Sequence, residues 1–289
     1  MRERNRLEGF LIGAFLVVVA LTCILPLVHE LALSLSSNEA VLSRKVALVP
    51  VEPTLNSYRE ILKDGSVMRA LGFSATLTAA FTAIAMALTT ALAYPLTRPE
   101  FRHRKAVMTF VVITMYFSGG ILPLYILIKS LGMMNTIWAL ILPLAVSPFN
   151  TIIMRTALSS IPESLTESAL LDGASYFQIL RRIVLPLSLP IIATLSLFYA
   201  VGRWNTFQDA LFYITKTGMY TLQLKLTYIV LANSSPEVFM AEGAESRLSV
   251  ANAALTAATA MVATLPILAV YPWLQRYFIK GTMIGSIKE

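Results

Sequence analysis

Charged residues divide the chain into long apolar segments separated by short polar ones. Six segments of roughly 20 residues or more contain no Asp, Glu, Lys, Arg or His, and they cover residues 10–28, 70–97, 106–128, 130–154, 183–202 and 248–275. The hydrocarbon core of a bilayer is about 30 Å thick, and a helix of about 20 apolar residues crosses it. The pattern therefore predicts six transmembrane helices.

The composition supports a membrane protein. Of the 289 residues, 56% are hydrophobic and 13% are charged, about half the roughly 25% charged share of soluble domains. Mean hydropathy is +0.70. One soluble core of this length could not bury so much apolar surface, which excludes a soluble enzyme, a disordered chain and a disulfide scaffold. We expect an all-α integral membrane protein with a single transmembrane domain over residues 1–289.

The distribution of charge predicts how the helices are oriented. The termini and the loops after the second and fourth apolar segments together hold thirteen cations and seven acids, whereas the rest of the chain holds ten cations and nine acids. Positive charge accumulates on the cytoplasmic side of membrane proteins. Both termini are therefore expected in the cytoplasm, the first helix is expected to remain uncleaved, and residues 203–247 are expected to form an outer loop. The net charge of +7 reflects topology, not nucleic-acid binding.

Small residues recur at helical spacing in two of the predicted spans. Alanines lie four residues apart at Ala79, Ala83, Ala87 and Ala91, and Ala253 and Ala257 repeat the pattern beside Ala254 and Ala258. Small side chains let membrane helices approach closely. We expect these stripes to pack within the chain, with a contact between subunits as the alternative for one of them.

Motifs for nucleotide binding and hydrolysis are absent from the sequence. It contains no P-loop, no zinc-protease motif and no G-x-S-x-G. The two histidines, His29 and His103, fall on opposite sides of the membrane in the predicted topology and could not share a metal. A proton-coupled carrier would need ionisable groups inside its membrane spans. The interiors of the six spans contain no Asp, Glu, Lys, Arg or His. The chain is therefore not expected to be an enzyme, and energy must come from a partner.

The predicted cytoplasmic loop over residues 160–182, here called the two-helix segment, has strong local order. Ser160 followed by Glu163 is a capping-box pattern, and so is Ser175 followed by Gln178. Gly173 lies between them, where a left-handed residue commonly ends a helix. The pattern predicts two short helices hinged at this glycine.

The same segment resembles the EAA loop of ABC importer permeases. The resemblance is carried by Glu167-Ser-Ala-Leu-Leu-Asp-Gly-Ala174, followed by Ile183-Val-Leu-Pro186. In that family the loop forms a coupling helix that docks on the ATPase subunit. By position, the resemblance implies ATPase-coupling roles for Glu167, Ser168, Ala169, Asp172 and Gly173. Ser168 departs from the usual alanine.

Further stretches resemble the carbohydrate branch of these type I importer permeases, and in particular its second permease subunit. They are Phe117–Tyr125, Trp204–Phe207 and Gln275–Lys288. The first of them resembles the subfamily that serves complex oligosaccharides, including acidic ones of the alginate or pectin type.

The resemblance implies an ATP-driven importer in the bacterial cytoplasmic membrane. Its other parts would be a homologous second permease, two ATPase subunits and an extracytoplasmic solute-binding protein that delivers an oligosaccharide. ATP and magnesium would be bound by the ATPases, so no cofactor is expected in this chain. An importer permease for a non-sugar solute remains an alternative, as does a membrane scaffold without transport.

Sugar sites combine aromatic faces with a few fixed polar groups. Candidates for the substrate pathway are Asn150, Tyr199, Trp204, Asn205 and Gln208, near the ends of the fourth and fifth spans. Helix packing, or an aromatic belt at the membrane surface, is the alternative for each. Arg203 could pair with Asp209 or face an acidic sugar, and the sequence leaves both open.

Overall fold

The computed structural model describes residues 2–234 and 253–285, with side chains for 9–231 and 253–269. Over these residues the protein is helical and contains no strand. Three parts of the predicted features lie outside the described residues: 235–247 of the outer loop, 248–252 of the sixth span, and the last four residues of the chain.

Fourteen helices are distinguished here within the described residues. In chain order they are α1 (Arg2–Ser34), α2 (Asn38–Leu42), α3 (Asn56–Asp64), α4 (Ser66–Ala93), α5 (Arg104–Tyr116), α6 (Ile121–Ser130), α7 (Ile137–Ile141), α8 (Pro148–Ser159), α9 (Glu163–Leu171), α10 (Tyr176–Leu187), α11 (Leu189–Asn205), α12 (Gln208–Tyr213), α13 (Leu222–Ser234) and α14 (Ala253–Gly285). Short 3-10 turns follow α4 and α7 at Pro95–Thr97 and Leu142–Leu144.

The helices correspond to the predicted spans, but several are broken. Two stretches, Gly9–Ser34 and Ser66–Thr97, are long and apolar enough to cross a membrane as single helices. Three bent pairs pass the same criterion together: α5 with α6, α7 and its 3-10 turn with α8, and α10 with α11, which bend by 113°, 55° and 82°. The described residues thus provide two to five spans by length and composition, and a count of six stays a prediction.

The third predicted span, residues 106–128, is not one straight helix, because the chain turns sharply between α5 and α6. The break falls at Ser118–Gly120, where Gly120 has φ +81° and its N–H donates to Ser118 Oγ at 3.3 Å. Only glycine adopts this backbone at little cost. The helix α5 ends at Tyr116, with Phe117 already extended, and Gly120 lets α6 start in a new direction.

Proline and serine mark the other two breaks. Ser147 precedes Pro148, and a residue before proline is disfavoured in helical geometry; its φ of −97° and ψ of 120° are extended. Its hydroxyl then caps α8 by accepting the Asn150 N–H at 3.3 Å. Between α10 and α11 the chain turns at Ser188, two residues before Pro190. The fifth predicted span is therefore bent as well.

The turn that joins the third and fourth spans is confirmed. Gly132 and Asn135 both have positive φ, +67° and +58°. Asn135 Oδ1 accepts the backbone N–H groups of Thr215 and Lys216 at 2.7 and 3.0 Å. This side chain fixes the turn against the chain that follows α12.

The predicted outer loop, residues 203–247, contains helices in its described part, namely α12 and α13. The tail also differs from expectation. Its polar sequence predicts that the sixth span does not continue into it. In the structure, α14 nevertheless extends through Lys280 and Gly281 to Gly285. A glycine costs a helix about 1 kcal/mol, but lengthening an established helix requires no new nucleus.

Two compact units make up the chain: Met1–Arg69 with Lys225–Pro266, and Ala70–Leu224 with Ile267–Glu289. The first includes a small core in which Ala32, Ala40 and Val46 are buried. The second includes a core of Ile128, Ala139 and Tyr213.

The two alanine stripes lie in different surroundings. Ala79, Ala83, Ala87 and Ala91 are all exposed on α4, whereas Ala254, Ala257 and Ala258 of α14 are buried. Packing within the chain is therefore confirmed for the second stripe and wrong for the first. The reason is that α4 turns larger side chains, Leu77, Phe81 and Met86 among them, into the core, which leaves the alanine face outside.

Candidate functional site

The two-helix segment begins with α9, but its start differs from the predicted one. Pro162 is the N-cap, with no side-chain cap bond. Ser160 still belongs to the last turn of α8 and donates its hydroxyl to the Ala157 carbonyl at 2.8 Å. The first capping box is therefore wrong. Proline tolerates this position because a helix leaves its first N–H groups unbonded anyway.

The end of α9 at Gly173 is confirmed, and its geometry is a complete Schellman motif. The Ala174 N–H donates to the Ala169 carbonyl at 2.9 Å, and the Gly173 N–H donates to the Leu170 carbonyl at 3.0 Å. Gly173 has φ +79°, and a Cβ built there would meet nothing within 4 Å in this chain. A side chain at this position would be strained by the backbone and not by its neighbours.

The second helix of the segment also starts as predicted. The Gln178 N–H donates to Ser175 Oγ at 3.3 Å, and the Ser175 N–H donates to Gln178 Oε1 at 2.8 Å. Both halves of the capping box are thus formed. A π-helical turn, Leu180–Val184, follows within α10; single π turns often occur at functional sites.

The residues around the Gly173 turn present an apolar and acidic surface. Leu171 is 89% exposed and Phe177 is 70% exposed. Glu167, Ser168 and Asp172 are exposed beside them, and Ala169 is half-buried. Large exposed apolar side chains rimmed by polar ones are typical of a protein interaction site.

One side chain of α9 faces inward, and it contacts a residue that sequence reasoning missed. Thr166 is buried, and its hydroxyl accepts a hydrogen bond from Arg98 Nη1 at 3.0 Å. The Arg98 guanidinium also lies over the Tyr94 ring, 4.6 Å from its centre. In the sequence Arg98 counts only as one of the cations that set the topology. Its separation of 68 residues from Thr166 left no local signal.

A second polar cluster lies where α4, α8 and α11 meet. The Tyr199 hydroxyl forms a 2.6 Å hydrogen bond with Thr89 Oγ1 and accepts the Ser147 N–H at 3.1 Å. Its ring packs edge-on against Phe81. Tyr199, a predicted pathway residue, thus supplies a partner to the backbone at the break before α8.

Arg203 pairs with Asp209, which decides a choice that the sequence left open. Its side chain is fully buried and makes a two-pronged ion pair with that carboxylate, including Nη2 to Oδ1 at 2.9 Å. Nη1 also donates to the Leu140 carbonyl at 3.0 Å, and Nη2 donates to the Thr206 carbonyl at 3.1 Å. The guanidinium joins α7, α11 and the start of α12, and its side chain is closed to solvent.

The negative charge of Asp209 also acts on Tyr213, which is buried and stacked on Tyr125. Burial raises the pKa of the Tyr213 hydroxyl, and the nearby Asp209 carboxylate raises it further. Tyr213 therefore stays protonated at neutral pH.

The remaining predicted pathway residues divide by exposure. Asn150 and Trp204 are buried, whereas Asn205 and Gln208 are exposed at the end of α11 and the start of α12. The latter two side chains are therefore accessible at the surface of this chain. Among the described side chains, no group of three or more His, Cys, Asp or Glu could hold a metal ion.

The chain is similar to known transport proteins along nearly its whole length. Residues 83–283 match the family described as "Binding-protein-dependent transport system inner membrane component". The polygalacturonan/rhamnogalacturonan transport system permease protein YtcP of Bacillus subtilis (strain 168) is 41% identical over 285 residues, 99% of each chain. Protein LplC of the same organism is 38% identical over 275 residues, which cover 95% of this chain and 92% of LplC.

The fold is also similar to a solved structure. This is the crystal structure of a bacterial ABC transporter involved in the import of the acidic polysaccharide alginate, with a TM-score of 0.85 and 27% identity over 95% of this chain and 97% of the other. The resemblance first drawn from residues 167–186 is therefore confirmed. Since the family match spans more than half of the sequence, the chain belongs to the inner membrane components of binding-protein-dependent transport systems, and it is an ABC transporter permease.

Proposed function

We propose that the protein is one of two permease subunits of an importer for acidic oligosaccharides of the pectin type. The observation that carries the substrate class is the 41% identity to a permease named for polygalacturonan and rhamnogalacturonan transport. The similarity to an importer of acidic alginate supports it. The solute would be delivered by an extracytoplasmic binding protein, and both termini of the chain would lie in the cytoplasm.

The two-helix segment would couple this permease to an ATPase subunit that binds ATP and magnesium. Support comes from the exposed Leu171 and Phe177 at the Gly173 turn, and from the acidic Glu167 and Asp172 beside them. Apolar side chains lose unfavourable contact with water when a partner covers them, and carboxylates on the rim would give orientation. Ser168 donates its hydroxyl to the Ser164 carbonyl of its own helix at 2.7 Å, so it presents a small surface much as alanine would.

A homologous second permease would pack against α4. The exposed stripe of Ala79, Ala83, Ala87 and Ala91 offers a smooth face along which another helix can approach. Cysteines at Ala83 and Ala87, in a chain without Cys23, should cross-link to the second permease. Cysteines at the buried Ala257 and Ala258 are the matched controls and should not.

Transport by the assembled importer in proteoliposomes tests the substrate class. A galacturonic-acid trisaccharide should stimulate ATP hydrolysis and enter the vesicles, whereas a neutral galactose trisaccharide should do neither. Uptake of the neutral sugar alone would contradict an acidic substrate. Failure of any ATPase to co-purify with the chain would contradict the importer role itself.

A further inference from the structure

Two side chains just beyond α4 hold the two-helix segment at two points. Arg98 donates from Nη1 to Thr166 Oγ1 at 3.0 Å, in α9. The Tyr94 hydroxyl donates to the Tyr176 carbonyl at 3.2 Å, in α10. The two bonds lie on opposite sides of the Gly173 turn, so together they fix both helices of the segment and not only one.

The two anchoring residues also support each other. The Arg98 guanidinium covers the buried Tyr94 ring at 4.6 Å, a cation–π contact that strengthens where water is excluded. Arg98 follows a 3-10 turn whose Leu96 carbonyl accepts a hydrogen bond from Arg155 Nε, 3.4 Å away in α8. Thr166 is the one buried residue of α9. Arg98, Tyr94 and Thr166 therefore form a short chain of side-chain contacts from the end of α4 to α9.

We propose that Tyr94 and Arg98 are positioning residues that make α4 and the two-helix segment move as one body. The inference rests on the coupling role proposed above. Without these bonds, a force on the exposed face of α9 would reach the membrane helices only through the chain that joins α9 to α8 and α10, and it would not reach α4 directly. Coupling between distant sites needs a physical element that both sites displace, and the two anchors join the docking surface to α4.

Three conservative variants separate the parts of this connection. Arg98→Lys keeps the charge, and so the topology, but loses the planar donor group. Thr166→Val keeps the shape and removes the acceptor, while Tyr94→Phe keeps the ring beneath Arg98 and removes the donor to Tyr176. Arg102→Lys, at an exposed position of the same loop, is the matched control. Each is measured in the complete importer for ATPase content, basal hydrolysis and hydrolysis stimulated by the sugar-loaded binding protein.

We expect the three variants to retain the ATPases and basal hydrolysis, because the exposed face of α9 is unchanged. Stimulation should fall by at least about fivefold, the lower end of typical coupling between sites, while Arg102→Lys should behave as the native protein does. The double variant Arg98→Lys/Thr166→Val should be no worse than its worse single variant, because both changes remove the same bond.

Native stimulation in Arg98→Lys and Thr166→Val, or additive losses in the double variant, would overturn the proposal. Loss of the ATPases would overturn it as well, since the anchors would then shape docking instead of transmitting motion. If Arg98→Lys does not fold, Thr166→Val and Tyr94→Phe carry the same test. Gly173→Val is measured in parallel. If Gly173→Val couples normally, the coupling role of the two-helix segment is rejected. If Gly173→Val is uncoupled while the anchor variants behave as the native protein does, only the proposed role of the anchors is rejected.

Discussion

The Tyr199 hydroxyl accepts a hydrogen bond from the backbone N–H of Ser147, 3.1 Å away and 52 residues earlier in the chain. Ser147 lies at the break before α8, where the helical pattern of backbone bonds is interrupted. A backbone donor without a partner is costly in a membrane, where water is scarce. The tyrosine thus stabilises an interruption that the two-part helix requires.

Replacing Tyr199 by phenylalanine should destabilise the protein by roughly 1–3 kcal/mol, the usual penalty for a buried polar group without a partner. The Ser147 N–H loses its acceptor, and the Thr89 hydroxyl loses its hydrogen-bond partner. Thermal unfolding of the purified complex measures the change. Tyr116→Phe, at a position that is 76% exposed, is the control and should unfold at the native temperature. Equal stability of both variants would show that these hydrogen bonds do not stabilise the break before α8.

Asp209→Asn should destabilise the protein by roughly 3–5 kcal/mol, because it leaves the buried Arg203 without its counter-charge. The double change Arg203→Met/Asp209→Leu should recover most of the loss, since it removes both charges together. Thermal stability and yield are the measurements, with the exposed Glu60→Gln as control. A stable Asp209→Asn protein with a raised KM for acidic sugar alone would instead assign Arg203 to substrate.

Gly173→Val should uncouple ATP hydrolysis from sugar. A Cβ in left-handed backbone costs roughly 1 kcal/mol or more, and a branched side chain adds bulk at the exposed turn. Gly173→Asn is the matched control, because asparagine tolerates this backbone while still placing atoms on the surface. If strain dominates, asparagine should couple far better than valine; if contact with the ATPase dominates, both should fail.

Glu167→Lys tests the acidic part of the same surface. We expect it to lower sugar-stimulated hydrolysis, because it reverses a charge that would orient the partner. Glu163→Lys is the matched control. Glu163 is also exposed but lies in the first turn of α9, so this variant reverses a charge outside the motif that begins at Glu167. Native stimulation and uptake in Glu167→Lys would contradict a docking role for this residue.

Asn205→Ala and Gln208→Ala should reduce sugar uptake without changing thermal stability, since both side chains are exposed. Trp204→Ala should also reduce transport with normal assembly, although its burial means that packing is removed at the same time. The comparison of uptake with unfolding temperature separates the two effects. Native uptake in both exposed variants would place the pathway elsewhere.

Cysteine labelling tests the predicted orientation. In a chain with Cys23 replaced by serine, Glu100→Cys and Ser160→Cys should resist an impermeant thiol reagent in intact cells. Ser130→Cys, on the opposite side in the prediction, should react. Reaction at Glu100→Cys from outside would invert the topology.

Features that depend on neighbouring residues or on summed composition can be predicted from the sequence of this protein. Apolar runs locate the membrane helices, because crossing a bilayer needs only length and the absence of charge. Gly173 and the Ser175–Gln178 pair mark helix ends correctly, since each cap is made within about one turn of chain. Much of the family resemblance rests on the same short segment, whose spacing is visible without a fold.

Contacts between side chains that are far apart in the sequence could not be predicted and are seen in the folded protein. Tyr199 and Thr89 are 110 residues apart, and Arg98 and Thr166 are 68 apart; no periodicity links such pairs. The same holds for the exposed alanine face of α4, because a stripe shows which residues share a face but not what covers it. Ser160 does not cap α9 for a related reason. The preceding helix α8 extends to Ser159, and the Ser160 hydroxyl donates to a carbonyl of that helix instead. A side chain that could cap the start of one helix can instead bond to the end of the helix before it, and the packing of the two helices determines which bond forms.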